Sequence, residues 1–122
     1  MTRISEEAYQ LMMRQRKESA KTDLELERDF MRRVIILAVA CGWLHYHAHR
    51  PRKDRPGFPD LVLVHRGGGT VIFAELKMPR GALTTDQKYW QHALTRTGPG
   101  VEYHVWEPSD WDQIAKRLAK RG

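Results

Sequence analysis

The 122 residues suffice for one domain with a single core and are too few for two independent ones, and 41% of them are hydrophobic. Lys and Arg number 21 against 15 Asp and Glu, a formal charge of +6 that suits a polyanionic partner without identifying one. The lone Cys41 excludes an intrachain disulfide and a cysteine-rich zinc site; its apolar run, VIILAVACGWL, is too short for a membrane span and is broken by Gly42. Charges stand where a signal peptide needs apolar residues, so a soluble chain working in the cytoplasm is expected, without a membrane partner.

Residues 1–21 read as a polar helical extension, with Leu11, Met12 and Met13 as its main apolar content. Residues 22–122 read as the functional domain. Thr22 and Glu25 have the spacing of a capping box, opening a helix from Asp23 to Cys41 that Gly42 ends. WLHYHAH then reads as a strand, and RPRKDRPGFP as a loop with three prolines and four basic residues. Asp60 to His65 and Thr70 to Lys77 are β-rich runs joined by RGGG, the pattern of a hairpin. Thr84 with Gln87 is a second capping box, for a helix to about Arg96; VEYHVWE is a last strand, and Ser109 is placed to cap a last helix. The order α, α, β, β, β, α, β, α predicts an α/β domain with a mixed sheet of about four strands flanked by helices.

Charged residues at one end of the apolar hairpin require explanation. A turn centred near Gly68 sets Asp60 across from Leu76, between Glu75 and Lys77, and strand alternation puts Glu75 and Lys77 on one face. Two carboxylates and an amine then share one end of the sheet. A plain salt bridge of Lys77 with either acid would account for them, as would a divalent cation held by both carboxylates with Lys77 beside a metal-activated water.

The wider pattern shifts the balance towards the metal site. Pro59-Asp60, fourteen residues, then Glu75-Leu76-Lys77 resembles the PD-(D/E)XK nuclease superfamily. More narrowly, GFPDLVLV, FAELK, TTDQKYWQHAL and VWEPSDWD are similar to the VRR-NUC branch, the virus-type replication and repair nucleases, over about Glu27 to Asp112. The resemblance implies a restriction-endonuclease-like core and a metal-dependent endonuclease using Mg²⁺ or Mn²⁺, with Asp60, Glu75 and the Leu76 carbonyl as ligands. Lys77 would orient the attacking water or stabilise charge on the phosphate. Small stand-alone members of viral type imply a homodimer acting on branched DNA such as four-way junctions.

Other residues are candidates on mixed grounds. Glu27 shares a helical stripe with Met31, Val34, Ala38 and Cys41; the resemblance makes it an active-site acid able to reach the metal or its water, whereas the helix dipole alone would also favour an acid there. Gln87 is explained by its cap, while the resemblance sets it at the edge of the active site. His47 matches the family's histidine after GW. Arg50, Arg52, Lys53 and Arg55 form a basic loop placed to hold phosphates. His45, His47 and His49 would share a strand face, a zinc alternative disfavoured because no cysteine and no suitably spaced acid accompanies them. The four tryptophans fit core or interface positions better than base-stacking ones. Alternatives to a branched-DNA enzyme are a nicking or restriction-like endonuclease on linear or single-stranded DNA, and a non-catalytic basic nucleic-acid-binding module.

Overall fold

The computed structural model describes residues 4–19, 22–47 and 55–121. Helix α1 (Glu6–Ser19) is followed by α2 (Asp23–Ala40), strands β1 (Trp43–His47), β2 (Leu61–His65) and β3 (Val71–Leu76), helix α3 (Thr85–Thr95), strand β4 (Val101–Trp106), a 3₁₀ turn (Pro108–Asp110) and helix α4 (Trp111–Leu118). The expected architecture is present: a four-stranded mixed sheet in the order β1-β2-β3-β4, antiparallel up to β3 and parallel between β3 and β4. That parallel pair needs a crossover, and α3 supplies it. No helix among the described residues is long and apolar enough to cross a membrane.

The Thr22 hydroxyl accepts the Glu25 amide at 3.2 Å and starts α2. Phe30, Val34 and Ala38 recur at four-residue steps and are buried. Gly42, with φ of 89°, takes the left-handed conformation that turns the chain into β1. The α2 stripe packs with Trp43, Leu61, Leu63, Ile72 and Ala74, and Ile114 and Leu118 of α4 complete this core. The Trp43 indole nitrogen donates to the Leu118 carbonyl at 2.9 Å, so the largest core side chain also fixes the C-terminal helix. Val62, Phe73 and Tyr103, alternating with these core residues, turn to the other face, where α3 lies.

Three details differ from the sequence-based expectation. The hairpin register is one residue away: Leu61 pairs with Ala74, so Asp60 falls opposite Glu75 rather than Leu76. The cause is a four-residue loop, closed by the His65 amide on the Thr70 carbonyl at 3.2 Å, with Gly68 and Gly69 both at positive φ. The strands also stop one residue short at this end, leaving Asp60 and Lys77 just beyond the ladder. Finally, Ser109 lies inside the 3₁₀ turn that follows Glu107 and does not cap α4; the Glu107 amide is taken by the Asp110 carboxylate at 2.9 Å.

An ion-paired network joins β4 to α4. Arg117 grips the Glu102 carboxylate with two nitrogens, Nε at 2.7 Å from Oε1, and His104 Nε2 lies 2.9 Å from the same oxygen. The guanidinium outweighs the cost of partial burial and holds the Glu102 carboxyl at about 2, against 4.5 ordinarily. A depressed carboxyl pKa contributes stability above pH 4.5 and loses it as pH falls towards 2. The side chain is 30% exposed, so solvent screening reduces the effect. Glu102→Gln should cost about 1–2 kcal/mol at neutral pH, with the deficit shrinking as pH falls through that window, measured by urea unfolding at a series of pH values.

Candidate active site

The loop before β2 carries Asp60 and is clamped against α3. Gly57 has φ of 80°, and a Cβ there would meet the Asp86 backbone at 2.4 Å, so only glycine permits this approach. The Trp90 indole donates to the Pro56 carbonyl at 3.1 Å. Phe58 packs edge-on between Trp90 and Phe73, with ring centroids at 5.0 and 6.1 Å. Pro59 is fully buried. Each residue of Gly57-Phe58-Pro59 therefore helps to deliver Asp60 to the open end of the β2–β3 ladder, and the Asp60 Oδ2 accepts the Leu76 amide at 2.9 Å in place of a strand carbonyl.

Glu75 is only 2% exposed. Its Oε1 accepts from the Gln87 side-chain Nε2 at 2.8 Å and lies 3.7 Å from the Lys77 ammonium. Its Oε2 is buried with no hydrogen-bond partner among the described residues. Burial, then the charge and carboxyl of Asp60, push the Glu75 pKa up to about 8, against a weaker opposing pull from Lys77. Two facing carboxylates are both acceptors, and without a proton or cation between them one lone pair stays unsatisfied. Burial, then the charges of Glu75 and Asp60, raise Tyr103 to about 12, which keeps its phenol neutral beside the acids.

Gln87 forms the expected cap, and its side-chain amide also binds Glu75. Its Oε1 accepts the Thr84 amide at 2.8 Å, the Thr84 hydroxyl accepts the Gln87 amide at 3.2 Å, and the remaining side-chain N–H₂ holds Glu75. The cap that starts α3 thus also orients the acid. A turn after β3, closed by the Gly81 amide on the Met78 carbonyl at 2.9 Å, lies against the Lys77 stem; a Cβ at Gly81 would come within 3.3 Å of Lys77 Cδ.

Glu27 stands apart from this pair. It is exposed at the start of α2 and lines a cleft with Asp60 and Leu76. Among the described residues no three His, Cys, Asp or Glu side chains lie close enough together to hold one metal ion. The buried part of the α2 stripe begins at Phe30, one turn beyond Glu27. His47 lies at the end of β1 in the same cleft, its ring parallel to that of His45 at 6.2 Å. Arg55 is exposed ahead of the Asp60 loop, and Arg50, Arg52, Lys53 and His49 lie outside the described residues.

Sequence reasoning missed Tyr103 and the clamp of Gly57, Phe58 and Trp90. The clamp had a signal in GFPD itself, since a glycine and an aromatic residue beside a charged strand end imply close packing. Tyr103 had none, because its place beside Glu75 depends on the parallel register of β4, which pairs Phe73 with Tyr103. The tryptophans serve structure as expected: Trp43 and Trp106 are buried, Trp90 holds the loop, and Trp111 lies 4.3 Å beneath the Arg33 guanidinium.

A mixed sheet between helices, with Asp60, Glu75 and Lys77 at the end of its central hairpin, defines the chain as a PD-(D/E)XK-type α/β nuclease domain. The family model for the VRR-NUC domain matches residues 4–107, most of the chain, and the chain belongs to that family. It is a nuclease that acts on DNA. Comparison with curated proteins and with solved structures finds no match.

Proposed function

We propose that the protein is an endonuclease that hydrolyses phosphodiester bonds in branched DNA with Mg²⁺ or Mn²⁺ as cofactor. The observation that carries the metal dependence is the buried Glu75 carboxylate, whose Oε2 makes no hydrogen bond within 3.5 Å among the described residues and which is crowded by the Asp60 carboxylate. A purely structural salt bridge would satisfy that oxygen; a hard divalent cation does so and suits an all-oxygen donor set. Asp60 and Glu75 would hold the cation, with the Leu76 carbonyl as a further ligand. Bound there, it would supply a water acidic enough to attack near neutral pH and neutralise charge on the phosphate.

The protein's own residues prepare that reaction. Gln87 fixes the Glu75 rotamer, and the Leu76 amide fixes that of Asp60. Lys77, held by its turn and by Glu75, presents an ammonium to the developing phosphate charge or the attacking water. Glu27 faces the same cleft from α2 and would accept a proton from water rather than bind the cation. His47, Arg50, Arg52, Lys53 and Arg55 would hold flanking phosphates, fixing DNA position without reading sequence.

A four-way junction is the proposed target, cut by a homodimer whose symmetry supplies two related active sites. Exposed Leu11, Met12 and Met13 on α1 offer apolar surface that a second copy could cover. A labelled four-way junction and a matched linear duplex, each incubated with Mg²⁺, Mn²⁺ or chelator, test the proposal. Paired, metal-dependent cuts confined to the junction support it. Equal cutting of both DNAs would replace branch selectivity by a broader nuclease, and binding without cutting in any metal would leave a DNA-binding module.

Loss of Gln87 isolates the positioning of Glu75. Gln87→Ala should lower cleavage by about 10–100-fold, as for other residues that orient metal ligands, and should reduce stability by about 1 kcal/mol through the lost cap. The activity loss should shrink at high Mg²⁺ concentration, as a loss of cap alone would not. A titration of cleavage rate against Mg²⁺ reads this directly.

A further inference from the structure

The cleft beside Asp60 has a volume of about 720 Å³, within the range of small-molecule sites and larger than one nucleobase needs. Its wall from α2 sets aliphatic Leu24, Met31, Ile35 and Ile36 beside charged Glu27, Arg28 and Arg32, and Leu76 faces them from β3. The aliphatic part of this wall suits the face of a base rather than a phosphate. Two cations, Arg28 and Arg32, line the same cleft, and neither has an ion pair among the described residues. Leu24 and Ile36 of this wall are 55% and 60% exposed, apolar surface that an occupant of the cleft would cover. Asp60, at the opposite wall, ties the cleft to the place where the phosphodiester bond is cut.

We infer that this cleft receives one unpaired nucleotide next to the scissile phosphate, with the base on the aliphatic wall and the adjoining phosphates on Arg28 and Arg32. The inference rests on the nuclease reading and sharpens it. The enzyme selects DNA whose bases are already unstacked at the cut, because swinging a paired base out of a duplex costs energy that a bulged or frayed nucleotide does not. A branch point interrupts the continuous duplex stack and so lowers that cost, and a single-nucleotide bulge removes it without a branch.

The test uses two linear duplexes of one sequence, fully paired or with one unpaired 2-aminopurine nucleotide at the cleavage position. In Ca²⁺, binding of the bulged duplex should shield the fluorophore from acrylamide about threefold or more, since pockets of this kind cover most of a ligand's surface. In Mg²⁺ the bulged duplex should be cut at least roughly tenfold faster than the paired one, a modest share of the unstacking energy. Ile36→Glu, at an exposed position the fold tolerates, should abolish the shielding and collapse the ratio of the two rates. Full acrylamide access to the bound bulge, or shielding that Ile36→Glu leaves intact, overturns the inference even if both DNAs are cut. If neither DNA is cut in any metal, the nuclease mechanism fails instead, and the shielding, which needs no cleavage, still decides whether the cleft takes a nucleotide.

Discussion

Asp60→Asn is expected to lower DNA cleavage by on the order of 10³-fold or more, with the fold intact. Asparagine keeps an oxygen that can accept the Leu76 amide, so the local anchor of Asp60 survives. It replaces the other oxygen with an amide that donates hydrogen bonds, and it removes the negative charge beside the buried Glu75. A cation therefore loses a ligand and half of its charge complement at the pair, while the metal-free protein loses an electrostatic repulsion wherever the pH lies above the Glu75 pKa of about 8. Activity and stability should move in opposite directions, with the thermal midpoint unchanged or higher. Rates on a junction substrate and melting curves in chelator check both halves. Retention of activity to within tenfold of wild type would remove Asp60 from the chemistry.

The same pair shows why some of the site could be read in advance and some could not. GFPD and ELK are local patterns, and alternation along β3 is enough to place Glu75 and Lys77 on one face. The Thr84–Gln87 spacing likewise marked the start of α3. The capping glutamine's second bond, to Glu75, depends on how α3 crosses from β3 to β4, a packing outcome that no local spacing encodes. The register of the hairpin was off by one because three consecutive glycines let the turn centre shift without cost, so an even loop replaced the expected odd one. Glu27 shows the converse: its helical stripe was correctly read as facing the sheet, yet the stripe outruns the core, and its first acid ends in solvent at the edge of the cleft.

Glu75→Gln should separate the two demands on that buried position. The folded-state pKa of about 8 lies above the ordinary 4.5, so the folded protein binds a proton that the unfolded chain releases. Stability from this group is complete below pH 4.5 and declines as pH rises through 4.5 to 8. Asp60 drives that decline together with burial, and Lys77 offsets part of it. Glutamine cannot ionise, retains an oxygen for Gln87, and puts an amide where the carboxylate has its unpartnered Oε2. In chelator the variant should therefore gain on wild type as pH rises, reaching about 1–3 kcal/mol of added stability near pH 8 in urea unfolding. Mg²⁺ should reverse the order by stabilising wild type through binding, while leaving the variant unmoved and inactive. If the variant were instead less stable at pH 8, and Mg²⁺ shifted neither protein, Lys77 and Gln87 alone would satisfy Glu75, and the carboxylate pair would be a structural feature of the hairpin rather than a metal site.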